Sequence, residues 1–169
     1  DFFLQKGLTK EATAGVMGNL YQESHFAANN MQNKYEGVYN DETYTAAVDA
    51  GTYTNFVHDG IGYGIAQFTW WTLKQELLSY AHTHGKSVGD LEVQLNYLWI
   101  SMNDSKYTVD LAKKLNNCST PAEAATVFHT EYEKAGANAQ IENRIAYANS
   151  IYEQFLNSSS IIGGSSGTV

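Results

Sequence analysis

Three features of the sequence predict a mainly α fold (α+β in detail). Apolar residues recur at helical spacing over most of positions 1 to 156, helix caps stand at several entry points, and one polar stretch rich in glycine and tyrosine breaks the pattern. The expected architecture is a helical bundle around a central buried helix, with a small β-hairpin excursion. Thr9 caps a first helix carrying Ala12, Val16 and Leu20, and the same spacing reaches Glu23. Residues 29 to 63 hold the excursion: a short helix near Asp41 to Asp49, then a hairpin in the β-branched and aromatic run from Thr52 to Val57. A second long helix runs from about Trp71 to His84 and stops at Gly85, a glycine exit. After Ser87, the residues Leu91, Leu95, Leu98, Trp99 and Met102 share one face, which makes this segment the expected central helix. Thr120-Pro121-Ala122-Glu123 places threonine at the cap, proline at the first helical position and glutamate at the third, so a helix starts there. A last helix from about Asn138 carries Ile141, Ile145, Ala148, Ile151, Tyr152 and Phe155.

A chain of 169 residues is long enough for one domain with a sizeable core. Its hydrophobic fraction of 43% is too high for disorder, and its polar interruptions leave no run suited to membrane insertion. The composition shifts to serine and glycine at the end, giving an expected module of residues 1 to 156. Residues 157 to 169 then read as a linker towards additional domains of the same polypeptide after residue 169. The net charge of -8, with a single arginine at Arg144, argues against nucleic acid, whose phosphates need clustered positive charge. The 12 tyrosines suit either interior packing or a neutral polar ligand such as a sugar. A lone Cys118 excludes an intrachain disulfide and a cysteine-zinc cluster. No cofactor and no metal are expected: His82 and His84 are two apart on a helix, so they face different ways. His58 beside Asp59 is a weak metal pair at best.

Two segments invite a chemical reading. Glu23 follows Val16 and Leu20 by seven and three residues, so its carboxylate falls on the helix face that must be buried. Desolvation and the exposed carbonyls of a helix end both disfavour the charged form, as a general acid working near neutral pH requires. The alternative is a solvated turn or a lysine partner. Further on, Asp59-Gly60-Ile61-Gly62-Tyr63-Gly64-Ile65-Ala66-Gln67-Phe68 alternates glycines, which permit close backbone approach, and ends in an amide that both donates and accepts. The even spacing does not match a dinucleotide fingerprint, and a tight turn is the simpler reading.

Together, Gly15-Val16-Met17-Gly18-Asn19-Leu20-Tyr21-Gln22-Glu23-Ser24, then Gly62-Tyr63-Gly64-Ile65-Ala66-Gln67, then Gln94-Leu95-Asn96-Tyr97-Leu98-Trp99, resemble in this order the phage tail lysozyme family. That family belongs to the lysozyme-like superfamily, with goose-type lysozymes and soluble lytic transglycosylases. The resemblance spans about residues 1 to 156 and implies a lysozyme-like fold and cleavage of bacterial peptidoglycan between N-acetylmuramic acid and N-acetylglucosamine. It implies Glu23 as the acid, and Ser24 and Gln67 as groups that orient it or hold the sugar. Tyr63 and Tyr132 are implied as groove residues. His25 departs from the glycine frequent in near relatives, although goose-type enzymes carry histidine there; it is either a groove residue or a turn residue. The setting implied is a phage tail, a prophage or a secreted wall-lytic protein of Gram-positive bacteria.

A hydrolase of this kind can use a second carboxylate about 5 Å from the acid, or roughly 6.5 to 9.5 Å away as base for water. Asp59 is the first candidate, with Asp41, Glu42 and Asp49 as rivals. Without such a partner, a lytic transglycosylase route giving 1,6-anhydromuramic ends needs only Glu23. The residues also admit two other readings. A cysteine amidase or peptidase would use Cys118 with a histidine such as His129. A non-catalytic wall-binding or tail structural module would use aromatic platforms such as Trp70 and Trp71, although adjacent helical residues face different ways and at least one should be core.

Overall fold

The computed structural model describes residues 1–32, 37–134 and 140–157. It is mainly helical, as the periodicity predicts. In chain order the helices are α1 (Phe2–Gln5), α2 (Lys10–Ser24), α3 (Asp41–Asp49), α4 (Trp71–Thr83), α5 (Leu91–Met102), α6 (Leu111–Asn116), α7 (Pro121–Phe128) and α8 (Ile141–Ile151). Wider π turns, His129–Glu133 and Tyr152–Leu156, extend α7 and α8. The chain forms two compact units. One comprises Asp1–Gln22 with the stretch from Asp110 onward; the other comprises Glu23–Val109.

In the first unit, Thr9 starts α2 as expected, its Oγ1 accepting from the Ala12 N–H at 3.1 Å. Nearly every side chain of α2 from Ala12 to Leu20 is buried, because two glycines let neighbouring helices press against it. A Cβ on Gly15 would lie 2.5 Å from Ala124 Cβ of α7, and one on Gly18 would lie 2.6 Å from the Arg144 carbonyl of α8. Such close approach leaves Asn19 in a dry environment, where a polar group must be hydrogen-bonded. Its amide donates to the carbonyls of Gly15 (2.9 Å) and Ala125 (3.0 Å), and its Oδ1 accepts from Arg144 at 3.1 Å. The single arginine is therefore a buried residue. At α7, the Thr120 Oγ1 accepts from the Glu123 N–H at 3.1 Å, and Glu123 returns a carboxylate to the Ser119 N–H at 2.8 Å.

The second unit contains α3, α4, α5 and the excursion. Asn40 and Thr43 form a reciprocal capping box at α3, and Asp90 caps α5 through the Val93 N–H at 2.9 Å. Tyr39, Tyr44, Tyr53, Phe56 and Tyr63 pack edge to face or tilted with centroids 5.4 to 6.0 Å apart. In this unit much of the tyrosine content is core.

Several local expectations differ from the structure. Residues 52 to 57 form successive turns, and pairing occurs instead as two isolated antiparallel bridges, Met31 with Tyr63 and Tyr63 with Phe68. The α5 helix is present, but its buried face is Gln94, Tyr97, Leu98 and Ser101 with Val93 and Met102, while Leu91 is exposed. The leucines mislead because Gln94 and Ser101 are buried with hydrogen-bond partners. Helices α1 and α6 have four and six residues, too few to show a period. The expected start at Asn138 and the linker from residue 158 lie outside the described residues.

Candidate active site

The site begins where α2 ends. Glu23 is its penultimate residue and is half-buried; Ser24, the last, is buried. His25 (φ +51°) and Phe26 (φ +67°) then adopt the left-handed region, reversing the chain over two non-glycine residues. A glycine would take the His25 conformation without penalty, and L side chains there cost about 1 to 2 kcal/mol each. Such strain persists only where surrounding contacts hold it. The Ser24 Oγ–H donates to the Ile65 carbonyl at 2.9 Å, joining the end of α2 to the glycine-rich segment 41 residues later.

That segment is a tight turn between Tyr63 and Phe68, whose N–H and carbonyl groups pair reciprocally at 3.2 and 2.8 Å. Gln32 donates its N–H to the Gly62 carbonyl (2.9 Å), and Gly64 donates to the Asn30 carbonyl (2.8 Å). Gly64 is required twice over. Its φ is +80°, and an added Cβ would lie 2.7 Å from the Gln94 Cδ. Gln67 also sits at positive φ (+47°), and its Nε2 lies within hydrogen-bonding distance of the Asn30 carbonyl, the Asn30 Oδ1 and the Gly64 carbonyl at 3.1, 2.9 and 3.1 Å.

Asp59 lies at the entrance to this turn with every lone-pair direction occupied. Its Oδ1 accepts from the Lys74 Nζ (2.6 Å) and the Ile61 N–H (2.9 Å), and its Oδ2 accepts from the hydroxyls of Tyr44 (2.6 Å) and Tyr53 (3.2 Å). Lys74 is fully buried, donates also to the Ile61 carbonyl (2.8 Å), and stands 4.3 Å from the Phe56 ring centroid. Burial pushes its ammonium below the ordinary lysine value, against the pull of Asp59. Burial, reinforced by the hydrogen bond and charge of Asp59, holds the Tyr44 phenol far above the ordinary tyrosine range. Of the rival carboxylates, Asp41 accepts from the Met31 N–H (2.8 Å), Asp49 accepts from the Val88 N–H (2.8 Å) and the Ser87 hydroxyl (2.5 Å), and Glu42 is exposed in the first turn of α3.

Tyr63 is fully enclosed, with its hydroxyl 2.6 Å from the Thr45 Oγ1. Tyr132 belongs to the π turn after α7, its ring 5.1 Å from Phe128. Trp70 and Trp71 are both largely exposed, at 64% and 59%, so the expectation that one of them is core does not hold. They occupy the cap and first position of α4, and the Trp71 ring lies 6.0 Å from that of His58. The Cys118 thiol is pushed up by burial and by Glu123, the opposite of what a nucleophile needs. The His84 ring sits over Tyr80 and its Nδ1 meets the Tyr80 carbonyl at 2.8 Å, an ordinary helix-end arrangement. Among the described residues, no group of three or more metal-ligating side chains gathers, and no helix is long and apolar enough to cross a membrane.

Sequence reasoning missed three residues that build this region: Asn30, Lys74 and Gln94. Gln94 was visible only as the first member of a motif, and Lys74 reads in sequence as a solvated helix residue.

A mainly helical fold that joins a helix-terminal Glu-Ser pair to a glycine turn ending in glutamine has the features of a lysozyme-like wall-lytic protein. The chain belongs to the phage tail lysozyme family, whose model matches residues 1–155. Membership makes it a lysozyme-like glycosidase that acts on peptidoglycan, at the cell wall or from a virion tail.

Proposed function

We propose that the chain cleaves the β-1,4 bond between N-acetylmuramic acid and N-acetylglucosamine, with Glu23 protonating the departing glycosidic oxygen. The observation that carries this reading is the bond from Ser24 to the Ile65 carbonyl, which fixes the residue next to Glu23 against the glycine turn. His25, next to Ser24, and Gln67, two residues beyond Ile65, serve as sugar contacts in this reading. Ser24 serves as a brace, since its one hydroxyl proton goes to Ile65. Tyr63, enclosed in the core, serves packing.

A second reading concerns the fate of the glycosyl group. Asp59, Asp41 and Asp49 each hold a lysine, a hydroxyl or a backbone N–H, and the engagement of these three supports the lytic transglycosylase route, with the exposed Glu42 left as the carboxylate for a hydrolytic one. In that route the 6-hydroxyl of the muramic residue attacks its own anomeric carbon, the bond to the leaving oxygen breaks, and Glu23 passes a proton to that oxygen and takes one from the hydroxyl. Digestion of purified peptidoglycan by the wild type and by Glu23→Gln tests both points. Loss of at least about a hundredfold in rate is expected for the variant. Mass spectrometry of the products then separates reducing ends from 1,6-anhydro ends. Equal digestion by both proteins would remove Glu23 from the chemistry; binding without digestion by either would favour the wall-binding module.

The wider setting of the proposal is a phage tail, a prophage or a secreted protein acting on Gram-positive walls, with further domains supplying targeting.

A further inference from the structure

The buried amide of Gln94 forms one half of a clamp. Its Oε1 accepts from the Ile65 N–H at 2.7 Å, while its Nε2 donates to the Ala28 carbonyl (2.5 Å) and the Val88 carbonyl (2.8 Å). The other side of the Ile65 residue, its carbonyl, is held by Ser24. The Ile65 backbone is thus gripped by its N–H from α5 and by its carbonyl from the last residue of α2. Gln94 also reaches Ala28, so a closed circuit runs from Ser24 through Ile65 and Gln94 to Ala28 and back along the chain. The strained residues His25 and Phe26 lie inside that circuit. Gly64 has no side chain, and only that lets the Gln94 amide lie against the turn.

We propose that Gln94 is a positioning residue: through the Ile65 backbone and the Ala28 carbonyl it sets the placement of the Glu23-Ser24 helix end relative to the Gly64–Gln67 turn. This rests on Glu23 being the acid and goes beyond that reading by naming what holds it in register. Four hydrogen bonds to one amide and its partner serine form a specific geometry that packing alone would not fix. A displacement of about 1 Å of a reacting group costs on the order of a hundredfold in rate while leaving ground-state binding largely intact.

The test uses the full chain and measures kcat and KM separately on a soluble peptidoglycan oligosaccharide, well below the unfolding temperature of each variant. Gln94→Met keeps the length of the side chain and removes its polar atoms. Ser24→Ala removes the opposite jaw of the clamp and gives a second reading should Gln94→Met fold poorly. Thr108→Val is a control that deletes a buried hydrogen bond to the Met102 carbonyl in the same unit. The expected result is a fall in kcat of about ten- to a hundredfold for both clamp variants with KM within about twofold of wild type. Thr108→Val should lower thermal stability and leave kcat unchanged. Folded Gln94→Met and Ser24→Ala proteins with wild-type kcat would overturn the inference, as would a loss of kcat in Thr108→Val matching theirs. Glu23→Gln run alongside separates the two claims. An inactive Glu23→Gln beside fully active clamp variants sinks the positioning role alone, and an active Glu23→Gln sinks the assignment of the acid.

Discussion

Lys74 and Asp59 form an ion pair of 2.6 Å in which neither side chain reaches solvent appreciably, at 0% and 3% exposure. Between them they hold both polar groups of Ile61, the N–H by Asp59 and the carbonyl by Lys74. The entrance to the glycine turn is thereby fixed by charge, as its middle is fixed by Ser24 and Gln94.

Breaking such a pair from one side leaves an uncompensated buried charge. Lys74→Met and Asp59→Asn should each destabilise the protein by about 3 to 5 kcal/mol, whereas the double variant should recover much of that loss. Chemical denaturation of the three variants checks this through the coupling energy of the cycle. Additive losses would mean that the two side chains act independently. The same series bears on the mechanism: if Asp59 has only this structural part, the double variant retains measurable turnover.

Alkaline pH should separate the buried phenols from exposed ones. Burial raises both Tyr44 and Tyr63; Asp59 adds to the effect at Tyr44, and Asp49 and Asp41 add to it at Tyr63. In the unfolded chain these groups lose their protons near the ordinary value of about 10, while the folded state keeps them. The folded state then binds more protons, so their stabilising contribution is complete below pH 10 and declines as pH rises above it, by up to about 1.4 kcal/mol per pH unit for each group. Lys74, lowered by burial, works in the opposite sense over the window below the ordinary lysine value of about 10.4, and above that window it is neutral in both states and adds no slope. Absorbance of tyrosinate should show a class of phenols that ionise only on unfolding. Tyr44→Phe should flatten the decline in melting temperature above pH 10.

How much of this was legible beforehand depended on whether the signal was local. The caps at Thr9 and Thr120 and the glycine exit at Gly85 act within one turn, and the helices they mark are present. Glu23 and the Gly62–Gln67 run were visible because a carboxylate following apolar spacing and a glycine alternation are unusual in themselves. The Lys74–Asp59 pair and the Gln94 clamp were not, since their partners are 15 and 29 residues apart and neither residue type announces burial. The buried face of α5, which keeps Leu98 and Met102 but turns away from Leu91, departs from the apolar pattern for the same reason. A satisfied buried glutamine counts as polar in any periodicity, although its surroundings are those of a core residue.

Two glycines of the glycine-rich segment, Gly60 before the turn and Gly64 within it, should respond differently to alanine. Gly60 (φ +69°) has nothing within 4 Å of an added Cβ, so Gly60→Ala should cost only the left-handed penalty of about 1 to 2 kcal/mol. Gly64→Ala carries the same penalty and also drives a methyl group into the Gln94 amide, so its cost should exceed that of Gly60→Ala by about 1 kcal/mol or more. Equal losses would show that the Gln94 amide yields freely.

Trp70 occupies the cap of α4 without accepting a hydrogen bond from the helix N–H groups. A hydroxyl or carboxylate there would satisfy one of them. Trp70→Ser should therefore raise stability by about 0.5 to 1 kcal/mol and leave turnover of a soluble glycan unchanged. If binding to insoluble wall falls together with turnover, the exposed indole is part of the sugar-binding surface.

The charge of -8 predicts an unusual salt response. Bacterial wall is anionic, so an acidic domain approaches it against long-range repulsion, the reverse of the steering enjoyed by basic lytic enzymes. Raising salt from about 0.01 M to about 0.1 M shortens the screening length from about 30 Å to about 10 Å and removes most of that repulsion. Degradation of insoluble wall should accelerate over this range, while cleavage of a short neutral oligosaccharide should not change. The comparison isolates encounter from chemistry, because both substrates present the same glycosidic bond. It also accounts for the targeting proposed above: a domain repelled by its substrate gains most from being delivered there by another part of its assembly. Fusion to a wall-binding module should raise the low-salt rate on insoluble wall and abolish its salt dependence. A wall rate that falls with salt would instead place a locally positive surface at the site, despite the net charge.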